Sequence, residues 1–191
     1  GRSIVLHPPI DEATYRTVTG DRLTIVNLSA VKGGTLLEPL ARRLPGHRFL
    51  AVRGAWGPQL VPAVPPPNVR VVANTREVRD VYSQTRVLLQ PSVDESYGRV
   101  PLEAAASGIP VIAHPAEGTR EAMGDAAIYV DRTDVEGWAA AIVRLDDPEE
   151  YAAWSVRARE RFGALDPERE LLAFETALIE TARRQTGGPT G

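Results

Sequence analysis

The chain has 191 residues, 43% hydrophobic and 25% charged, a balance that suits one globular domain and excludes wholesale disorder or a fibrous repeat. A formal charge of −3 without any basic block argues against a nucleic-acid surface, and the lack of cysteine excludes disulfides, thiolate metal sites and thiol catalysis. No apolar run is long enough for a membrane helix, and Gly1-Arg2-Ser3 lacks the pattern of a signal peptide, so a cytoplasmic protein with small-molecule partners is expected.

After an extended lead-in from Ile4 to Pro9, the β-branched run from Leu23 to Leu28 predicts a buried parallel strand. A loop with Lys32-Gly33-Gly34 follows, then leucines at helical spacing from Thr35 to Leu44, then a strand from Arg48 to Val52 that Gly54 breaks. This is a β-α-β unit. Five prolines between Pro58 and Asn68 exclude helix or central strand there and predict a surface excursion before a strand from Val69 to Ala73. Alternation continues: helix Glu77 to Ser83, strand Arg86 to Gln90, helix Pro101 to Ser107, strand Ile109 to His114, helix Thr119 to Met123, strand Ala127 to Val130. From Val135 onward the chain reads as helical, with apolar faces carrying Trp138, Ile142 and Leu145, then Tyr151 and Trp154, then Leu171, Leu172, Phe174 and Leu178. Residues 185–191, rich in Gly and Thr, are expected to form a flexible tail. The unbroken alternation predicts an α/β fold: a doubly wound, mostly parallel sheet with helices on both faces and a helical C-terminal tail, binding its ligand at the carboxyl ends of the strands.

The stretch from Gln90 to Ala113, QPSVDESYGRVPLEAAASGIPVIA, runs from a strand end through a polar loop into a small-residue helix. With Pro101 as the opening helical residue, Glu103 falls in the first turn and Glu95 on the loop, which puts both carboxylates at the ligand edge. Between them Gly98, Arg99 and Val100 offer backbone N–H groups at a helix N-terminus, where unpaired donors and the helix dipole favour an anion such as a diphosphate. Ala104, Ala105 and Ala106 let the helix approach the sheet closely. Taken singly, Glu103 is an ordinary first-turn acid contributing about 0.3 to 1 kcal/mol through the helix dipole, and Glu95 a solvated loop residue. Their joint spacing is what points to a site. Lys32 is the only lysine among 22 basic residues, which is either chance survival under a base-composition bias or a sign that a compact ammonium is needed there.

Glu95 and Glu103, separated by the seven residues SYGRVPL and followed by AAASGIPVIA, resemble the glutamate-pair motif of retaining GT-B glycosyltransferases of family four. The likeness extends from His7-Pro8-Pro9-Ile10-Asp11 through Lys32-Gly33 to the helical tail, so residues 1–184 resemble that family's C-terminal, nucleotide-sugar-binding domain, one Rossmann-like half of a GT-B fold. The resemblance implies transfer of a sugar from a nucleoside-diphosphate sugar to an acceptor with retention, in partnership with an N-terminal acceptor-binding domain. It implies roles as well. Glu103 accepts hydrogen bonds from the donor ribose, Glu95 contacts hydroxyls of the transferred sugar, and Lys32, before Gly33, opposes the charge growing on the departing diphosphate. Backbone after the third strand, at Thr75 and Arg76, contacts the base. The family's arginine five residues before the lysine is replaced here by Asn27, leaving Arg99 or Arg53 to supply the missing charge. No cofactor and no metal are expected, Lys32 and the helix dipole taking a metal's place. Lys32 is expected to project towards the N–H groups of Arg99 and Val100. His7, His47 and His114, like Trp138 and Trp154, read as structural, and Glu121 and Arg120 as helix surface. Alternatives are a nucleotide-sugar-binding module without transferase activity, favoured by Asn27, and a GT-B nucleotide-sugar epimerase.

Overall fold

The computed structural model describes residues 5–186, so Ile4 and residues 187–191 lie outside the described residues. In chain order the elements are α1 (Glu12–Tyr15), β1 (Arg22–Val26), α2 (Gly34–Arg43), β2 (Phe49–Val52), β3 (Val69–Val72), α3 (Val78–Tyr82) and β4 (Thr85–Gln90). Then come α4 (Arg99–Ala105), β5 (Val111–Ala113), α5 (Glu117–Met123), β6 (Ala127–Tyr129), α6 (Val135–Arg144), α7 (Pro148–Gly163) and α8 (Pro167–Thr186), with a 3-10 turn between α5 and β6. The six strands form one wholly parallel sheet in the order β3-β2-β1-β4-β5-β6. The chain therefore starts mid-sheet, winds out to β3, and returns to lay β4 on the other side of β1. The carboxyl ends of β1 and β4 flank the point where winding reverses, the crevice where such sheets bind ligands.

Period-two alternation with both faces apolar explains the layering. Leu23, Ile25, Val87, Leu89 and Ile112 enter one core with the leucines of α2 and with Trp138 and Ile142 of α6. Leu88, Val111 and Ala113 enter the other with α4, α5 and Ala158 of α7. Trp138 is fully buried and its indole N–H donates to the Asp131 carbonyl, so one residue both fills the first core and holds the β6–α6 loop.

The strands fall where the apolar runs predict them, with ends moved by a residue or two. Four differences have physical causes. The short α1 was not expected; Asp11 caps it by accepting from the Ala13 N–H. Alternation is broken once, because β2 and β3 pair in parallel across a connection that its prolines keep free of helix. Helix α4 begins at Arg99, not Pro101, since proline is tolerated throughout a first turn whose N–H groups lack partners anyway; Glu103 accordingly sits in the second turn. Finally, the leucines of α8 are not covered, Leu171, Leu172 and Leu178 being 50%, 64% and 55% exposed, while Phe174 is partly buried. Gln185 and Thr186, expected in the tail, close α8, and the rest of that tail lies outside the described residues.

Candidate functional site

Two loops meet at the switch point, and glycine is what lets them. Gly33 caps α2 with φ of 100°, and a Cβ there would lie 2.1 Å from Pro91 Cγ, so the backbone after β1 rests directly on the residue after β4. The Val93 N–H donates to the Val31 carbonyl across the same junction. From this seam the Lys32 ammonium donates to the Asp94 carbonyl at 2.7 Å and to Glu95 Oε1 at 2.8 Å. Gln90, the last residue of β4 and 4% exposed, donates its amide to the same Glu95 oxygen at 2.6 Å. On the far side Gly118 of α5 lies under the loop, where a Cβ would be 2.2 Å from the Glu95 carbonyl oxygen. The Glu95 carboxylate, only 14% exposed, is thus fixed by one charged and one neutral donor, and its Oε2 carries no hydrogen bond among the described residues.

Glu103 is held differently. It is 7% exposed, and the buried Tyr82 of α3 donates its hydroxyl to Oε2 at 2.8 Å. Arg99 Nη2 lies 3.5 Å from Oε1 and also donates to the Tyr15 hydroxyl at 3.3 Å. Burial first, and the adjoining carboxylate second, push the Tyr82 hydroxyl well above its ordinary range, so it remains a donor at any physiological pH.

The structure therefore joins Lys32 with Glu95, and Arg99 with Glu103, but the two glutamates share no partner. Lys32 ends on Asp94 and Glu95 and not, as expected, on the Arg99–Val100 segment. Of the three backbone donors expected to be open, the Gly98 N–H is taken by the Gly118 carbonyl and that of Arg99 by Tyr97; the Val100 N–H has no partner among the described residues. Thr75 lies on the same sheet edge after β3, its hydroxyl accepting from the Glu77 N–H. Asn27 adopts φ of 69°, a left-handed conformation that asparagine tolerates, and its Oδ1 accepts from the Ser29 N–H at 3.1 Å and from Gln59 at 3.4 Å. The Asn27 side chain is turned into its own loop. Arg53 is exposed and makes no side-chain hydrogen bond or ion pair among the described residues.

Cavities of about 590 Å3 beside Leu60 and Pro62 and about 340 Å3 beside His7 and Tyr97 are lined by neither glutamate. His7 stacks on Tyr97 and bonds both Glu121 of α5 and Glu170 of α8, a structural tie. No group of three or more His, Asp or Glu among the described residues is placed to hold a metal ion, and no described helix is long and apolar enough to cross a membrane. Gln90 and Tyr82 were missed at the sequence level. Gln90 carried a signal, a polar residue ending an apolar buried strand; Tyr82 carried none, because its partner lies 21 positions away.

With this geometry fixed, the comparisons with known proteins decide the family. Residues 40–147 match the family described as Glycosyl transferases group 1. The chain belongs to that family. Over 114 residues it is 37% identical to the D-inositol 3-phosphate glycosyltransferase of Thermobispora bispora, covering 56% of this chain and 27% of that protein. Over 70 residues it is 36% identical to the O-antigen chain mannosyltransferase RfbU of Salmonella typhimurium, covering 37% of this chain and 20% of that one. The chain thus spans about a quarter or less of the length of these relatives. The fold matches that of Anabaena HepE in complex with UDP-glucose, with TM-score 0.79 and 16% identity over 92% of this chain and 57% of that one. It also matches sucrose-phosphate synthase of Thermosynechococcus elongatus, with TM-score 0.75 and 21% identity over 92% and 51%. The glycosyl transferases group 1 domain seen here is the Rossmann-like C-terminal half of a GT-B fold.

Proposed function

We propose that residues 1–184 are the donor-binding domain of a glycosyltransferase that takes a sugar from a nucleoside-diphosphate sugar and passes it to an acceptor with retention. The single observation that carries this is the Lys32–Glu95 pair, the chain's one lysine and a motif carboxylate held 2.8 Å apart at the switch-point crevice. In the absence of ligand each neutralises the other. A diphosphate offers Lys32 a stronger anion, and the freed face of Glu95 accepts from sugar hydroxyls while Gln90 keeps the carboxylate in place. Glu103 accepts from the ribose diol, and Thr75 lies where the base would rest. Gly33, Gly98, Arg99 and Val100 frame the diphosphate, the unpartnered Val100 N–H being its backbone donor.

In the transfer step the bond between the anomeric carbon and the diphosphate oxygen breaks, its electron pair passing to that oxygen. Lys32 opposes the negative charge as it grows, an electrostatic task that needs no metal. The acceptor hydroxyl forms its bond to the anomeric carbon on the same face and gives its proton to the departing diphosphate oxygen. The acceptor is held by an N-terminal domain that this chain does not include, so the isolated chain binds donor without transferring sugar. The activities in the relatives' names and the UDP-glucose held by HepE support a sugar-nucleotide donor.

Calorimetry against uridine, guanosine and adenosine diphosphates and their sugars tests this. Tight binding of one nucleoside diphosphate, weakened by Lys32→Ala, is expected; no binding of any of the three contradicts it. A second reading, a binding module without transferase activity, is favoured by one observation, the inward-turned Asn27 in place of a phosphate-binding arginine. The two readings part on the full-length protein, where only the transferase consumes a donor sugar in the presence of acceptor.

A further inference from the structure

The Tyr82–Glu103 contact differs from the Gln90–Glu95 contact in that no ammonium shares the carboxylate. A carboxylate in a helix with 7% exposure is expensive to leave unpaired, and Arg99, half exposed and 3.5 Å away, is a weaker partner for it than a hydrogen bond at 2.8 Å. Tyr82 is 2% exposed, ends α3, and its ring meets Tyr15 edge-on at 6.5 Å, so the ring is held in place, and the other acceptor near its hydroxyl, the Val100 carbonyl, lies farther off at 3.4 Å. The hydroxyl donates to Glu103 Oε2 at 2.8 Å. Each carboxylate oxygen accepts up to two hydrogen bonds, so this donor occupies one position and leaves the others to a ligand.

We propose that Tyr82 is a positioning residue for nucleotide recognition: by donating to Glu103 Oε2 it fixes the carboxylate in the orientation that accepts the two hydroxyls of a ribose. This rests on the reading of Glu103 as the ribose acceptor. Three features support it. The donor is neutral and buried, so no bound diphosphate competes for it as one would for an ammonium. It comes from a different element than the carboxylate, so the α3–α4 packing sets the direction of Glu103. It also means that Arg99, which meets Glu103 only at 3.5 Å and the Tyr15 hydroxyl at 3.3 Å, is not needed to hold the carboxylate.

The test uses this chain, with UDP, GDP and ADP as probes; the one that binds best is compared with its 2′,3′-dideoxy counterpart, which lacks the diol. Tyr82→Phe keeps the ring and removes only the hydroxyl. The expected result is about tenfold weaker binding of the ribonucleotide, with the dideoxy nucleotide changed by less than about twofold. Tyr82→Phe added to Glu103→Gln should weaken the ribonucleotide no further than Glu103→Gln alone, because both act on one contact. Equal weakening of both nucleotides by Tyr82→Phe, or additive losses in the double variant, would show a packing role only and overturn the proposal. No binding of any probe by the unaltered chain defeats the donor-site reading, and a Glu103→Gln that spares the ribonucleotide defeats Glu103 as ribose acceptor; each is distinguishable from a failure of Tyr82.

Discussion

Glu95 and Glu103 belong to one motif, yet the chain holds them by opposite means. Glu95 lies on a loop and takes a hydrogen bond from a partly exposed ammonium, Lys32, with Gln90 as a second donor. Glu103 lies inside a helix and takes its bond from a neutral, buried hydroxyl, that of Tyr82. A charge pair at a rim is exchangeable, since a phosphate can replace the carboxylate without leaving either group stranded. A buried neutral donor is not. The contrast assigns the moving part of the site to the β1–α2 and β4–α4 loops and the fixed part to α3 and α4, and each end can be broken separately.

The largest effect is expected from removing the seam on which the exchangeable pair depends. Gly33→Ala puts a Cβ 2.1 Å from Pro91 Cγ at a left-handed φ, so it should cost about 2 to 4 kcal/mol in denaturant unfolding and separate Lys32 from Glu95. Next comes Lys32→Ala, which should weaken a nucleoside diphosphate between about tenfold and about a hundredfold while sparing the free nucleoside, a gap that rising salt narrows. Equal loss for both ligands would make Lys32 a chance survivor and pass the phosphates to Arg53 or Arg99. Glu103→Gln should show the reverse selectivity, about tenfold weaker for the nucleoside diphosphate and unchanged for inorganic pyrophosphate.

The smallest effect lies outside the pair, where His7 ties the Tyr97 loop to α8. Hydrogen bonds to Glu170, then to Glu121, raise the His7 pKa above its ordinary 6.5. The protonated ring is therefore favoured in the folded chain, and its stabilisation is complete below 6.5 and lost as pH rises through the raised value. Thermal melts should show stability falling from pH 6 to pH 8 by a few tenths of a kcal/mol more in the unaltered chain than in His7→Gln, a small difference because the ring is partly exposed to solvent.

The fold was legible because each strand is a short apolar, β-branched run bounded by glycine or proline, and the motif because its spacing is dense with such punctuation. What the sequence could not carry were directions. Asn27 was readable as a departure, but its turn back onto Ser29 comes with a positive φ and with Gln59 and Gly54 beside its side chain, residues that meet it only in the folded chain. Lys32 and Glu95 were both readable as site residues, yet not as partners, since they lie 63 positions apart. Helical periodicity showed that α8 has apolar residues and was silent on what covers them; within this chain Leu172 remains 64% exposed.

The claim on which the account stands is that Lys32 exchanges Glu95 for a phosphate while Glu103 keeps Tyr82. A crystal structure of this chain with its preferred nucleoside diphosphate measures that directly. The predicted result places the diphosphate between Lys32 and Val100, with the Lys32 ammonium on a phosphate oxygen, Glu95 still bonded to Gln90, and the ribose on a Glu103 carboxylate that has not moved. A ligand bound away from the β1–β4 edge, or one bound there with Lys32 still paired to Glu95, would contradict it.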